Sequence, residues 1–249
     1  MEKMMYLAAQ YLAAAGISFL EKKADDSHTN LGFSIEEGNL YSRPLNDAGA
    51  TLSVNYERFS LQWNSAETTK ELQLDGTKHV EIVKWITERS SEANIAATYN
   101  YKFHYELPYE INDDFKFQLL DEKQLEKLMH FRILAQLVLE NFVANNNLKS
   151  DVRIWPHHFD TGAYISFENG SNKAVGLGLA IPDSLSADHY FYASGYKDQN
   201  SIDTSGFSEL ANGKWHSTQF KGAILPATDI DEAQATEFFE AALESYNSF

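Results

Sequence analysis

After Ser150 the chain reads almost entirely as strand, and no other feature constrains its fold as much. Residues 152–167, 174–181, 189–196 and 215–225 are rich in β-branched, aromatic and small apolar side chains. Turn chemistry separates them at Glu168-Asn169-Gly170, Pro182-Asp183-Ser184 and Asn212-Gly213. One more helical pattern, about 231–246, follows with acidic residues in its first turn, where the helix dipole favours them. Strands that arrive in a run, with helices grouped rather than alternating, predict an α+β fold with mainly antiparallel sheets and a C-terminal helix.

The first 149 residues are more mixed. Residues 3–15 read as an alanine-rich amphipathic helix stopped by Gly16, and 21–49 as loop with short extended pieces. Leu52, Val54 and Tyr56 alternate with polar residues, then Phe59, Leu61 and Trp63 continue on the other parity, which predicts a bulge near Glu57-Arg58. Leu72 and Leu74 suggest a short strand closed by Asp75-Gly76, and 79–89 a helix. Tyr99, Tyr101, Phe103, Tyr105 and Leu107 alternate with four polar residues and predict a half-buried strand ended by Pro108. A long buried helix follows from about 121 to 145, with apolar residues too broadly spread for a single face. The division expected is a mixed half, 1–149, and a β-rich half, 150–249, or one continuous domain. No internal repeat is visible.

Composition narrows the partners. With 36 acidic and 20 basic residues the net charge is −16, which repels phosphate backbones and anionic lipid and argues for no nucleic acid and no membrane. There are no cysteines, which removes disulfides, thiolate catalysis and zinc–thiolate sites together. The apolar N-terminal stretch carries Glu2 beside Lys3 and is interrupted by Gln10, so a folded helix is expected there rather than a signal peptide, and the compartment expected is cytoplasmic.

The sharpest motif is Ile154-Trp155-Pro156-His157-His158-Phe159-Asp160-Thr161-Gly162. In extended chain His158 and Asp160 leave the same face, with α-carbons about 6–7 Å apart. Further on, Phe191-Tyr192, Trp215, the stretch from Phe220 to Leu225-Pro226 and a helix ending at Tyr246 succeed Phe159-Asp160. That order of landmarks resembles an uncharacterised bacterial family, a domain of unknown function, across most of the chain. The resemblance implies no activity. Where that family has Trp-Gly-Ser before Phe-Asp this chain has Pro156-His157-His158, so Phe159 and Asp160 alone carry over.

Two chemistries compete at this motif. A small-molecule ligand could sit in an aromatic pocket walled by Trp155, Tyr164, Tyr190 and Tyr192, with His158 and Asp160 as polar contacts, since tyrosine joins an apolar body to a hydroxyl. Alternatively His158, Asp160 and His216 could ligate a divalent metal as in non-haem iron enzymes, with His189 as a substitute third ligand. A self-associating homo-oligomer without chemistry is the third expectation. Val175, Leu177, Leu179 and Ile181 alternate with Gly176, Gly178 and Ala180, so something must lie close against that bare face: a helix for preference, otherwise bulky residues of another strand, or a ligand.

Overall fold

The computed structural model describes residues 1–167 and 172–248; the turn read at Glu168-Asn169-Gly170 lies outside them. The fold is α+β, with four helices and two antiparallel sheets of five and seven strands among the described residues. The chain divides into two units, Met1–His130 with Ile154–His157, and Phe131–Arg153 with His158–Phe249. No helix among the described residues is long and apolar enough to cross a membrane.

The first unit runs α1 (Glu2–Phe19), β1 (Gly32–Ser34), β2 (Asn39–Tyr41), β3 (Thr51–Asn55), β4 (Ser60–Asn64), β5 (Thr69–Gln73) and α2 (His79–Glu92), then the first turns of α3 (Glu122–Asn145). Its strands form a meander in chain order. Leu40, Val54 and Leu61 stand in one cross-strand row of the apolar face, and Asn39, Asn55 and Ser60 in the adjacent row of the polar face. The parity switch after Tyr56 is not a bulge. Residues 56–59 are a four-residue hairpin turn with Phe59 left-handed at φ 46°, so Val54 and Leu61 pair and keep one face.

Helix α1 is not amphipathic: every residue from Met4 to Gly16 is buried. Nor does Gly16 stop it. A β-carbon there would lie 2.7 Å from the His28 carbonyl oxygen, so glycine serves close backbone approach inside the helix. The one polar residue of this buried stretch, Gln10, is saturated. Its Nε2 donates to the Pro156 carbonyl at 2.8 Å and to the Tyr6 carbonyl at 3.3 Å, and its Oε1 accepts from Tyr105 Oη at 2.8 Å.

The stretch predicted as the clearest strand, 99–107, belongs to no ladder. Its alternation is genuine, because the aromatic positions are covered and the intervening ones exposed. The rings, however, pack on α1 and on one another: Tyr101 lies 4.9 Å from both Tyr11 and Phe103, and Tyr99 Oη donates to the Tyr11 carbonyl at 3.2 Å. Alternation reports an extended chain with one covered side, and here a helix, not a sheet, covers it.

The second unit continues α3 from Phe131 and holds Arg153, the first residue of β6 (Arg153–Trp155), whose other two residues count with the first unit; it adds β7 (Asp160–Ser166), β8 (Lys173–Ala180), β9 (Tyr190–Lys197), β10 (Asn200–Ser201), β11 (Lys214–Ser217), β12 (Lys221–Pro226) and α4 (Glu232–Ser248). The sheet order is β11-β12-β9-β8-β7-β6, with β10 paired to β9. Odd-numbered positions make the core face: Ala163 and Ile165, Val175, Leu177 and Leu179, Phe191 and Ala193, Ala223 and Leu225. Helices α3 and α4 cover that face with Phe142, Phe238, Phe239 and Tyr246, each fully buried apolar side chain contributing about 1.5–3 kcal/mol. In this part of α3 the buried residues form one broad stripe, with Leu137, Glu140 and Asn141 exposed. Both units therefore run helix, antiparallel strands, helix, but only the first sheet keeps chain order throughout, since β12 lies between β9 and β11 in the second.

Candidate functional site

The even-numbered face of the second sheet is opposite in character. Across it run Asp160, Gly162, Tyr164 and Ser166 on β7, then Ala174, Gly176, Gly178 and Ala180 on β8, then Tyr190, Tyr192, Ser194 and Tyr196 on β9. Register puts Gly178 between Gly162 and Tyr192, Gly176 between Tyr164 and Ser194, and Ala174 between Ser166 and Tyr196. The middle strand is thus a floor almost without side chains, flanked by tyrosines.

What lies over the bare residues is a neighbouring strand, not the helix expected. A β-carbon on Gly178 would sit 2.6 Å from both Cε1 and Oη of Tyr192 and 2.6 Å from the Thr161 carbonyl oxygen. Tyr192 crosses its own cross-strand partner and reaches β7, where its hydroxyl donates to Asp160 Oδ2. Helix packing claims a different glycine. Gly195, on the core face, is where the Tyr246 ring of α4 lies, 2.2 Å from a would-be β-carbon.

Asp160 is buried, and its other oxygen, Oδ1, has no hydrogen-bond partner among the described residues. Burial raises its pKa above the usual carboxylate range, opposed by the Tyr192 hydrogen bond and by electrostatic interaction with His158 and Arg132. Burial, together with the facing carboxylate, raises the Tyr192 phenol far higher still. Arg132 is itself buried on α3, with Nη1 donating to Thr161 Oγ1 at 2.8 Å and Nη2 to the Phe159 carbonyl at 2.5 Å, while the guanidinium stacks 4.2 Å from the Phe159 ring. The sequence reading missed Arg132; the signal was a lone arginine within an apolar helical stretch.

The extended strand expected through His158 and Asp160 is not formed, although the two stay within electrostatic reach of each other. Pro156–Phe159 is a turn, with proline at its first position and Phe159 left-handed at φ 58°. That residue resets the direction of the chain between His158 and Asp160, so His158 sits exposed in the turn while Asp160 opens β7. Trp155 belongs with the first unit, its ring edge-on to His157 at 6.4 Å. Tyr190 is buried and donates to Asp183 Oδ2 at 2.9 Å; Tyr164 is 49% exposed. His216 lies on β11, with β12, β9 and β8 intervening before β7, a separation of about 19 Å at strand spacing. His189 is stacked on Phe131 at 4.3 Å. Among the described residues no group of three or more His, Asp or Glu could hold a metal ion. The structure brings together Asp160 and Tyr192 and sets Tyr164 and Tyr190 on the same face; it does not join His216 to them.

At the far end of this face is an open groove of about 570 Å³. Tyr164 and Tyr196 wall it, with ring centroids 6.2 Å apart and tilted by 42°. Ala174 lies in its floor, and Ser166, Asn172, Lys173, Asp198 and Gln199 edge it. Ser194 Oγ donates to Tyr196 Oη at 3.2 Å, and Asn172 Nδ2 donates to Asp198 Oδ1 at 3.0 Å. No protein-family model, no curated protein and no solved structure matches this chain.

Proposed function

We propose that the protein binds a small molecule on the tyrosine–glycine face of its second sheet. The observation that carries this reading is the groove itself, in which two tyrosine rings flank a floor of Ala174 beside bare Gly176, and its volume falls within the about 300–1,000 Å³ of small-ligand sites. An exposed ring such as Tyr164 on a sheet face offers apolar contact with little further ordering, because tyrosine has few rotatable bonds. The Tyr192–Asp160 bond supports the floor by tying β9 to β7 across Gly178.

The test is saturation-transfer NMR with a fragment set of phenols, indoles and polyols, run on wild type, Tyr164→Ala and Tyr196→Ala. Binders whose signal disappears in both variants support the reading. If no fragment depends on either tyrosine, this face is not a ligand site.

A further inference from the structure

The rim of the groove points to a ligand class, and the inference rests on the small-molecule reading above. We propose that the groove accommodates a neutral polyhydroxylated ring, a carbohydrate, stacked on Tyr164. The walls argue first. Two rings tilted by 42° form a corner rather than a parallel slot, which suits a puckered ring that lays its C–H face on one aromatic and turns its edge towards the other. Gly176 leaves the floor beside Tyr164 without a side chain, where a β-carbon would press on Ser194 Oγ at 3.2 Å and meet Tyr196 Cε2 at 3.8 Å.

The polar groups argue next. Asn172, Asp198, Gln199 and Ser166 present planar amides, a carboxylate and a hydroxyl, a set that matches vicinal hydroxyls acting as donor and acceptor at once. The Asn172–Asp198 hydrogen bond holds two of these planes as a fixed pair. A carboxylate in the groove of a chain with net charge −16 disfavours anionic ligands, and Lys173, the cation among the described residues that edge it, has its Nζ 3.5 Å from the Tyr246 carbonyl oxygen.

Backbone conformation supplies an independent observation. The two-residue turn between β9 and β10 has both central residues left-handed, Asp198 at φ 50° and Gln199 at φ 66°. Such a turn prefers glycine at its second position, and a glutamine there is strained. The chain tolerates that strain with a side chain that edges the groove, and Asn172, hydrogen-bonded to the adjoining Asp198, is also left-handed at φ 51°. Glycine at 199 would relieve the backbone and remove a ligand contact.

The experiment is titration of glucose, galactose, mannose, N-acetylglucosamine, maltose and cellobiose by NMR, with phenol and indole as flat aromatic probes, into wild type, Tyr164→Ala and Gln199→Gly. The expected result is saturable binding of at least one saccharide, weakened about tenfold or more by each substitution, while Gln199→Gly melts no lower than wild type. Saccharide binding that both variants retain overturns the assignment, as does a panel in which no saccharide binds. If phenol or indole binds in a Tyr164-dependent way and no saccharide does, the carbohydrate proposal fails and the small-molecule reading stands. If neither class binds, both fail.

Discussion

Tyr192→Phe removes one oxygen, and its consequence follows from what that oxygen faces. The hydroxyl donates to Asp160 Oδ2, the other carboxylate oxygen has no partner among the described residues, and burial holds the carboxyl's pKa above its ordinary value. A hydrogen bond to a charged buried acceptor is worth about 1.5–3 kcal/mol and a neutral one about 0.5–1.5 kcal/mol. The loss in Tyr192→Phe is therefore about 2 kcal/mol where Asp160 is ionised and about 1 kcal/mol where it is protonated. The sign follows from linkage. A carboxyl whose folded pKa lies above its unfolded value binds its proton more tightly when folded, so wild-type stability falls as pH rises from the unfolded value through the folded one. Removing the donor pushes the folded pKa further up, so the variant's deficit grows with pH, by no more than about 1.4 kcal/mol per pH unit for one group. Urea denaturation followed by circular dichroism from about pH 4, the ordinary carboxyl value, up to about pH 9, for Tyr192→Phe, Asp160→Asn and the double variant, reads this out. In the Asp160→Asn background the pH dependence of the Tyr192→Phe loss should vanish. A loss below about 0.5 kcal/mol that is flat with pH, or additive behaviour of the two substitutions, refutes the reasoning.

Three further outcomes are expected. Gly178→Ala should cost about 3 kcal/mol in the same denaturation assay, and combination with Tyr192→Ala should recover only part of it, because the Thr161 carbonyl is still 2.6 Å from the new β-carbon; full recovery would mean that the backbone clash is absent. Gln10→Leu should destabilise by about 2–4 kcal/mol despite the similar volume, since it orphans the Pro156 carbonyl and the Tyr105 hydroxyl inside the first unit; a neutral effect on the melting midpoint would show that water replaces the amide. Gln199→Gly should stabilise by about 1 kcal/mol through relief of a left-handed residue, and a lower melting midpoint would show that the glutamine side chain supports the fold instead.

Much of the architecture was legible from period and punctuation. The helices at 79 and 121, the strand-rich second half and the closing helix follow from 3.6-residue spacing, alternation and turn residues, which are local properties. The failures share one cause. Alternation over 99–107 and across 152–167 shows which side is covered but not what covers it, so by pattern alone a strap on a helix is indistinguishable from a strand, and a turn from continuous β. No local rule marks a phenylalanine as left-handed, yet Phe59 and Phe159 are both buried in that conformation, where packing outweighs intrinsic preference.

The site divides along the same line. Asp160, Tyr164, Tyr190 and Tyr192 were singled out because carboxylate and tyrosine on strands are chemically conspicuous, and those four share one sheet face. The groove's rim was not, because Asn172, Asp198 and Gln199 meet only through the β8–β9–β10 register. By itself the sequence determined the α+β class, the acidic charge and the alternation that separates an apolar from a tyrosine-lined face. Tertiary structure alone decided that Tyr192 lies over Gly178 to reach Asp160, that Arg132 is buried beside Phe159, and that His216 stands four strands away from Asp160. The physical reason is that periodicity fixes where a side chain points relative to its own backbone, whereas strand order and register, set by the whole packed core, fix what it meets.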